Sequence, residues 1–281
     1  MTIPAPPGTR PAATVAFDRL AADYDLLTGG ALFVLLRART HRAFARRLAA
    51  GSRILEIGCG TGRDTCFLAS RGLTVVACDP SEEMASRALR RLAREGLEDR
   101  ATVMPCGLQD VQSFLEATGQ REAFDGIVSN FGALNCVEHL APLGALIRRH
   151  LRPGGVVILG LMARLCALEA LYFAATRRSS LAIRRLRPGA VSVPVAGVDV
   201  PTYYHRISAV RRAVGHGVAL CGIEGVGVAI PPPYLEARWL ALPGRVRDAV
   251  TRLDALIAPW PPFNRVGDHV LLHFVKDDAH G

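Results

Sequence analysis

The sequence predicts an α/β protein on one mostly parallel sheet of seven strands, with helices on both faces, a helical N-terminal cover and inserted lids. Three observations lead there. Short apolar runs alternate with helical patterns from residue 53 to residue 161, as strand–helix–strand units require. The first run ends in a glycine cluster that opens a helix, Ile54-Leu55-Glu56-Ile57-Gly58-Cys59-Gly60-Thr61-Gly62. The last helix of the series is stopped by Pro153-Gly154-Gly155, after which a further strand begins.

Each element follows from its own pattern. Residues 1–13 are rich in proline and read as a leader without structure. Residues 14–50 are helical, with Phe17, Leu20, Ala21 and Tyr24 on one face and a second helix over Leu32–Leu48. Strands are expected at Arg53–Ile57, Leu73–Cys78, Ala101–Met104, Phe124–Ser129 and Val156–Leu161. Helices are expected over Arg63–Arg71, Glu82–Glu95 with Ser81 as N-cap, and Glu138–His150. Residues 51–161 and 203–281 would form the sheet domain, interrupted by insertions at 162–202 and 231–267. The first insertion holds an apolar helix, a basic run and an extended Pro/Val/Gly piece. The second holds a helix over Leu242–Ile257. Ile207–Val214 is helical, and Ile223–Ile230 with His269–Val275 closes the sheet.

Composition narrows the function classes. The 281 residues are half hydrophobic and 21% charged, an ordinary globular balance. The net charge of +9 is almost wholly arginine, since Lys276 is the one lysine. Such charge suits a nucleic-acid, acidic-ligand or membrane-surface partner, or a solvated basic surface. Seven scattered cysteines form no C-x-x-C pair, so neither a metal site nor a disulfide framework is expected. Reduced cysteine and the lack of an apolar signal core point to a cytoplasmic location. The most apolar stretch, 156–175, is broken by Arg164 and Glu169 and is too interrupted to span a bilayer.

The glycine loop carries the chemistry. A strand turning through glycines into a helix lets backbone N–H groups approach a ligand closely. Arg63 occupies the place where a dinucleotide fingerprint needs its third glycine. Glu56, inside the strand, would repel a pyrophosphate and suits a ligand bearing an ammonium group. Asp79 ends the second strand, 17 residues past Gly62, where a carboxylate can accept hydrogen bonds from a ribose diol.

Together these residues resemble the class I S-adenosylmethionine-dependent methyltransferases, in particular the broad small-molecule group, over residues 14–160. The resemblance implies a Rossmann-like fold and S-adenosylmethionine as cofactor. It places Glu56 at the methionine amino group through water, Gly58, Cys59 and Gly60 along the methionine–ribose path, and Asp79 with Pro80 at the ribose. Met84, Leu108 and Gln109 would meet the adenine, Asn130 and Phe131 the methionine, and Tyr24 would cover the cofactor. Gly107 stands where the family often has an acid on the adenine amine.

Methyl transfer from a sulfonium needs alignment and exclusion of water more than it needs a base. His205, Tyr204 and His139 are the candidate catalytic residues, His205 because an imidazole can deprotonate a hydroxyl or thiol near neutrality. The insertions carry Leu161, Met162, Tyr172, Phe173, Trp239, Trp260 and Phe263, which as a lid would favour an apolar or aromatic small-molecule acceptor. Rival readings are a nucleic-acid or protein methyltransferase, and a non-methylating protein using the same pocket. Ser129-Asn130-Phe131-Gly132 lacks the Pro-Pro-aromatic motif of exocyclic amine methylation, so nucleic acid is the weaker partner. The helix over 161–175 with Arg177, Arg178, Arg184, Arg185 and Arg187 is a candidate peripheral membrane contact.

Overall fold

A computed structural model describes residues 10–120 and 122–278. The main sheet has seven strands in the order β3-β2-β1-β4-β5-β9-β8. They are β1 (Arg53–Ile57), β2 (Thr74–Cys78), β3 (Ala101–Met104), β4 (Phe124–Ser129), β5 (Leu151–Met162), β8 (Val218–Val226) and β9 (His269–Lys276). Neighbours among β1 to β5 pair in parallel, and β9 runs antiparallel to both β5 and β8. Successive residues of β1 bury on opposite faces, which is why the run is apolar almost throughout. Leu55 and Ile57 join one core with Ile127, Leu159 and the helices α6 (Val111–Ala117), α7 (Ala141–His150) and α10 (Ile207–Val214). Ile54 joins the other with Phe44, Leu68 and Leu92, from α3 (Ala31–Arg47), α4 (Arg63–Ser70) and α5 (Glu82–Glu95).

The strand order reverses between β1 and β4, and the loops leaving their carboxyl ends part there to form a crevice. Two short helices cover it, α1 (Ala12–Leu20) and α2 (Tyr24–Leu27). Helix α1 begins at Ala12, inside the stretch expected to lack structure, and residues 1–9 of that stretch lie outside the described residues. Helix α7 starts at Ala141, three residues later than the pattern suggested, because Pro142 can occupy only the first turn. The sole lysine, Lys276, donates to the carbonyls of Ile147, Arg148 and Leu151 at the end of α7.

Two expectations need correction. The closing strand is not Ile223–Ile230 but β8 at Val218–Val226, an edge strand whose glycines and half-exposed alternation hide its start. Residues 228–230 leave the sheet, and their three amides donate to one oxygen of Asp254. The extended piece of the first insertion is a separate hairpin, β6 (Ala190–Val195) with β7 (Val198–Tyr203). It turns at Ala196-Gly197, both with positive φ, as a two-residue hairpin turn requires. The rest of that insertion is α8 (Ala167–Ala175) and the short α9 (Ser179–Ala182). Helices α11 (Glu236–Leu240) and α12 (Gly244–Ile257) make up the second insertion.

Candidate functional site

The crevice has a cavity of about 190 Å³, lined from four directions. The glycine loop contributes Gly58, Cys59 and Gly60, and the end of β2 contributes Asp79 and Pro80. Met84, Leu108 and Gln109 form a third wall, and Asn130, Phe131, Leu134 and Val137 a fourth. Phe17 and Tyr24 close it from the cover helices. At Gly58 (φ 76°) a side chain would collide with the Cβ of Ala133, so the bare backbone lets the β1 and β4 loops meet. At Gly60 (φ 54°) an added Cβ meets no atom within 4 Å, so what its absence leaves open is the crevice itself.

The cover is latched by charge. Asp18 of α1 accepts from the Ser81 hydroxyl at 2.6 Å, while Ser81 Oγ caps α5 by accepting from the Met84 amide. Asp25 of α2 accepts from Thr61 Oγ1 at 2.7 Å and Arg63 Nε at 2.9 Å, and pairs with Arg91. Each latch ties a cover helix to the polar end of the loop or helix beneath it.

Asp79 is buried, and each of its oxygens is aimed by one backbone amide, Gly60 N to Oδ2 and Ser81 N to Oδ1, both at 2.9 Å. Each oxygen keeps further lone pairs, so the carboxylate can still accept two hydroxyl hydrogens. Burial pushes its pKa up to about 6, with the two amides working against that rise.

Glu56, which the resemblance places at the methionine amino group through water, does not touch the crevice directly. It is buried behind the crevice and is absent from its lining, where its Oε2 accepts from Thr65 Oγ1 at 2.7 Å. Burial and the nearby Asp64 charge push it up to about 8, so it keeps its proton at neutrality. The carboxylate on the crevice wall is Asp64, in the first turn of α4. Arg37 Nη1 lies 2.7 Å from Asp64 Oδ1 and His41 Nε2 lies 2.8 Å from it, while Asn130 Nδ2 donates to Oδ2 at 2.6 Å. Burial opposes ionisation of Asp64, yet Arg37 and His41 hold it well below the usual carboxylate range. Arg37 also lines the crevice and lies over the Phe131 ring at 4.4 Å. Phe131 has φ 47°, a conformation that costs a bulky residue energy, at the point where β4 turns into this wall.

His205, Tyr204 and His139 do not line the crevice. They line a second, more open cavity with Glu138, Arg164 and Arg206. His205 Nε2 sits 2.9 Å from the Val137 carbonyl and 3.2 Å from that of Leu134. Two carbonyl partners require the proton on Nε2, so this nitrogen anchors the wall loop and is not free to act as a base. Tyr204 is buried beneath the Arg185 guanidinium. The expected lid side chains also lie away from the crevice. Tyr172 and Phe173 pack on Tyr234, Trp239 packs on Leu32 and Leu36, and Trp260 faces solvent. Of the arginines after α8, Arg184 and Arg185 turn inward to Glu169, while Arg177, Arg178 and Arg187 stay exposed.

Among the described residues there is no helix long and apolar enough to cross a membrane and no cluster fit to hold a metal. The cavity, the open space at Gly60, the two spare lone-pair sets of Asp79 and the Arg37–Asp64 pair fit a nucleoside carrying an amino-acid tail.

Comparison with known proteins agrees with this geometry. Residues 54–155 match the family described as a methyltransferase domain. The demethylmenaquinone methyltransferase of Clavibacter sepedonicus is 35% identical over 147 residues, 51% of this chain and 55% of that protein. The tRNA 5-carboxymethoxyuridine methyltransferase of Escherichia coli (strain K12) is 33% identical over 107 residues, 38% of this chain and 39% of that protein. The chain thus spans about half or less of the length of these curated relatives. Among solved structures, the 4+2 cyclase SpnF superposes with a TM-score of 0.62 at 17% identity, covering 95% of this chain and 96% of that one, which is a likeness of fold.

Proposed function

From the premise that residues 54–155 form a class I S-adenosylmethionine-dependent methyltransferase domain, we propose that the whole chain transfers a methyl group to a small, largely apolar molecule. The observation that carries this reading is the pairing of Asp79 with the Arg37–Asp64 pair on one crevice that a bare Gly60 leaves open. In this reading Asp79 accepts the ribose hydroxyls, and Met84 and Leu108 enclose the adenine. Arg37 faces the carboxylate of the methionine tail, and Asp64, rather than Glu56, faces its ammonium. The bound sulfonium supplies a methyl group already activated by positive charge.

The chain's own residues then orient and dry the site. Tyr24 and Phe17 close the cover, and Phe131, Leu134 and Val137 offer an apolar wall to the acceptor. No histidine lines the crevice among the described residues, which suits an acceptor that is nucleophilic without a protein base, such as an ionised phenol or enol. Incubation with methyl-labelled S-adenosylmethionine and a panel of phenols and quinols should place label in the small-molecule fraction. Label entering transfer RNA instead would overturn the acceptor class, and binding without transfer to either would favour a non-methylating use of the pocket.

A further inference from the structure

Helix α12 carries a continuous apolar stripe on its outward face. Leu242, just before it, and Val246, Ala249, Leu253 and Leu256 recur at spacings of four, three, four and three, and Trp260 follows four residues on. This spacing keeps the four within α12 on one side of the helix, and Leu242 and Trp260 lie just beyond its two ends. All six are exposed, Leu256 at 69% and Trp260 at 65%. The opposite side is fixed inward. Asp254 is fully buried on the amides of residues 228–230, and the Ala258 carbonyl accepts from Gly225. The stripe therefore cannot be the hidden face of a helix that rotates. Single exposed leucines are ordinary, but a contiguous row closed by a tryptophan marks a contact surface.

The surrounding charge selects the partner. Arg245 and Arg252 are exposed on α12 itself and Arg265 follows it in the chain, and none of the three lies within ion-pair distance of a carboxylate among the described residues. Asp248 is the one exposed acid between residues 236 and 265. A second copy of the chain fits poorly. A helix of 14 residues is about 21 Å long and offers roughly 200 Å² a side, against the ~800 Å² per partner of a stable dimer. Antiparallel pairing would set Arg245 and Arg252 against the same arginines of the other copy, with Asp248 the one exposed acid of the helix to answer them.

We propose that this face docks on an anionic phospholipid surface, with the leucines and Trp260 entering the headgroup boundary and the arginines meeting lipid phosphates. The proposal is independent of the acceptor and of methyl transfer. It places the contact on the second insertion, whereas in the segment after α8 two of the five arginines, Arg184 and Arg185, are engaged with Glu169.

The full chain should co-sediment at low salt with vesicles of phosphatidylcholine containing about one-third phosphatidylglycerol, and far less with phosphatidylcholine alone. Trp260 emission should shift to the blue on binding, since the other tryptophan, Trp239, is already buried. Leu253→Asn with Leu256→Asn, both at exposed positions, should weaken partitioning at least ~10-fold, and Arg245→Glu with Arg252→Glu should do the same and flatten its salt dependence. Trp260→Phe should keep the binding and lose the shift. No co-sedimentation with anionic vesicles, or binding that survives both double variants, would overturn the proposal. So would a solution dimer that the leucine variant splits, because a second copy would then cover the face.

Discussion

Two clusters of buried charge in this molecule differ in what they leave unsaturated. In the first insertion, Glu169 receives Arg184, Arg185 and the Tyr234 hydroxyl, and Arg185 continues to Asp268 at 2.8 Å. All three guanidinium nitrogens of Arg185 there meet an acceptor within the protein. Around the crevice, Asp79 is aimed by two amides but keeps lone pairs toward open space, and Arg37 and Asp64 pair with each other while both still face the cavity. The difference teaches how to separate a structural charge cluster from a site. Both shift pKa values, but only the second holds bonding capacity that the fold does not use.

The contrast can be broken most forcefully from the structural side. Arg185→Ala would leave Glu169 and Asp268 short of a buried cation and should cost about 3–5 kcal/mol of stability. Thermal or denaturant unfolding measures that loss. Calorimetry on the remaining folded protein should find S-adenosylmethionine affinity unchanged, and a large affinity loss would mean that the two clusters act as one.

A pH series sharpens the crevice side. Glu56 has an ordinary pKa of 4.5 and sits near 8 in the fold, so between those values the folded protein holds a proton that the unfolded chain releases. Unfolding therefore releases a proton in that window, and the Glu56 contribution to stability falls as pH rises from about 4.5 towards 8. Glu56→Gln keeps an acceptor for Thr65 and has no proton to lose. The variant should gain on the wild type as pH rises through this window, by about 1.4 kcal/mol per pH unit and so by several kcal/mol at its upper end. A gap that stays constant with pH would show Glu56 ionised throughout.

The smallest effect is expected at His205. His205→Ala removes its hydrogen bonds to the Leu134 and Val137 carbonyls and should cost about 1 kcal/mol of stability. Methyl transfer per folded molecule should stay within a few-fold of wild type. A rate loss of about a hundredfold or more, with the fold intact, would restore His205 as a base.

The same contrast explains what could be read from sequence. The glycine loop, Asp79 and the five parallel strands are local signals, each contained in one strand and the turn after it. Asp64 reads in sequence as an acid in a helix first turn, and only the fold brings Arg37, His41 and Asn130 to it. Glu56 is legible as a motif acid, but only the fold shows that it sits behind the crevice wall with the Thr65 hydroxyl donating to it. Tyr204 and His205 look like chemistry in sequence. In space a hairpin that its composition did not announce carries them to a different cavity. The exposed row on α12 has the periodicity of a core helix, and burial alone reveals that none of the described residues covers it.

The account depends most on Asp79, and titration calorimetry with S-adenosylmethionine tests it directly. Two hydrogen bonds to a charged acceptor, each worth about 1.5–3 kcal/mol, imply that Asp79→Asn should weaken binding by about a hundredfold at neutral pH. Wild-type affinity should itself fall as pH drops through about 6, where Asp79 takes up its proton. If the Asn variant, folded as judged by its melting curve, binds as tightly as wild type, the crevice is not the nucleoside site.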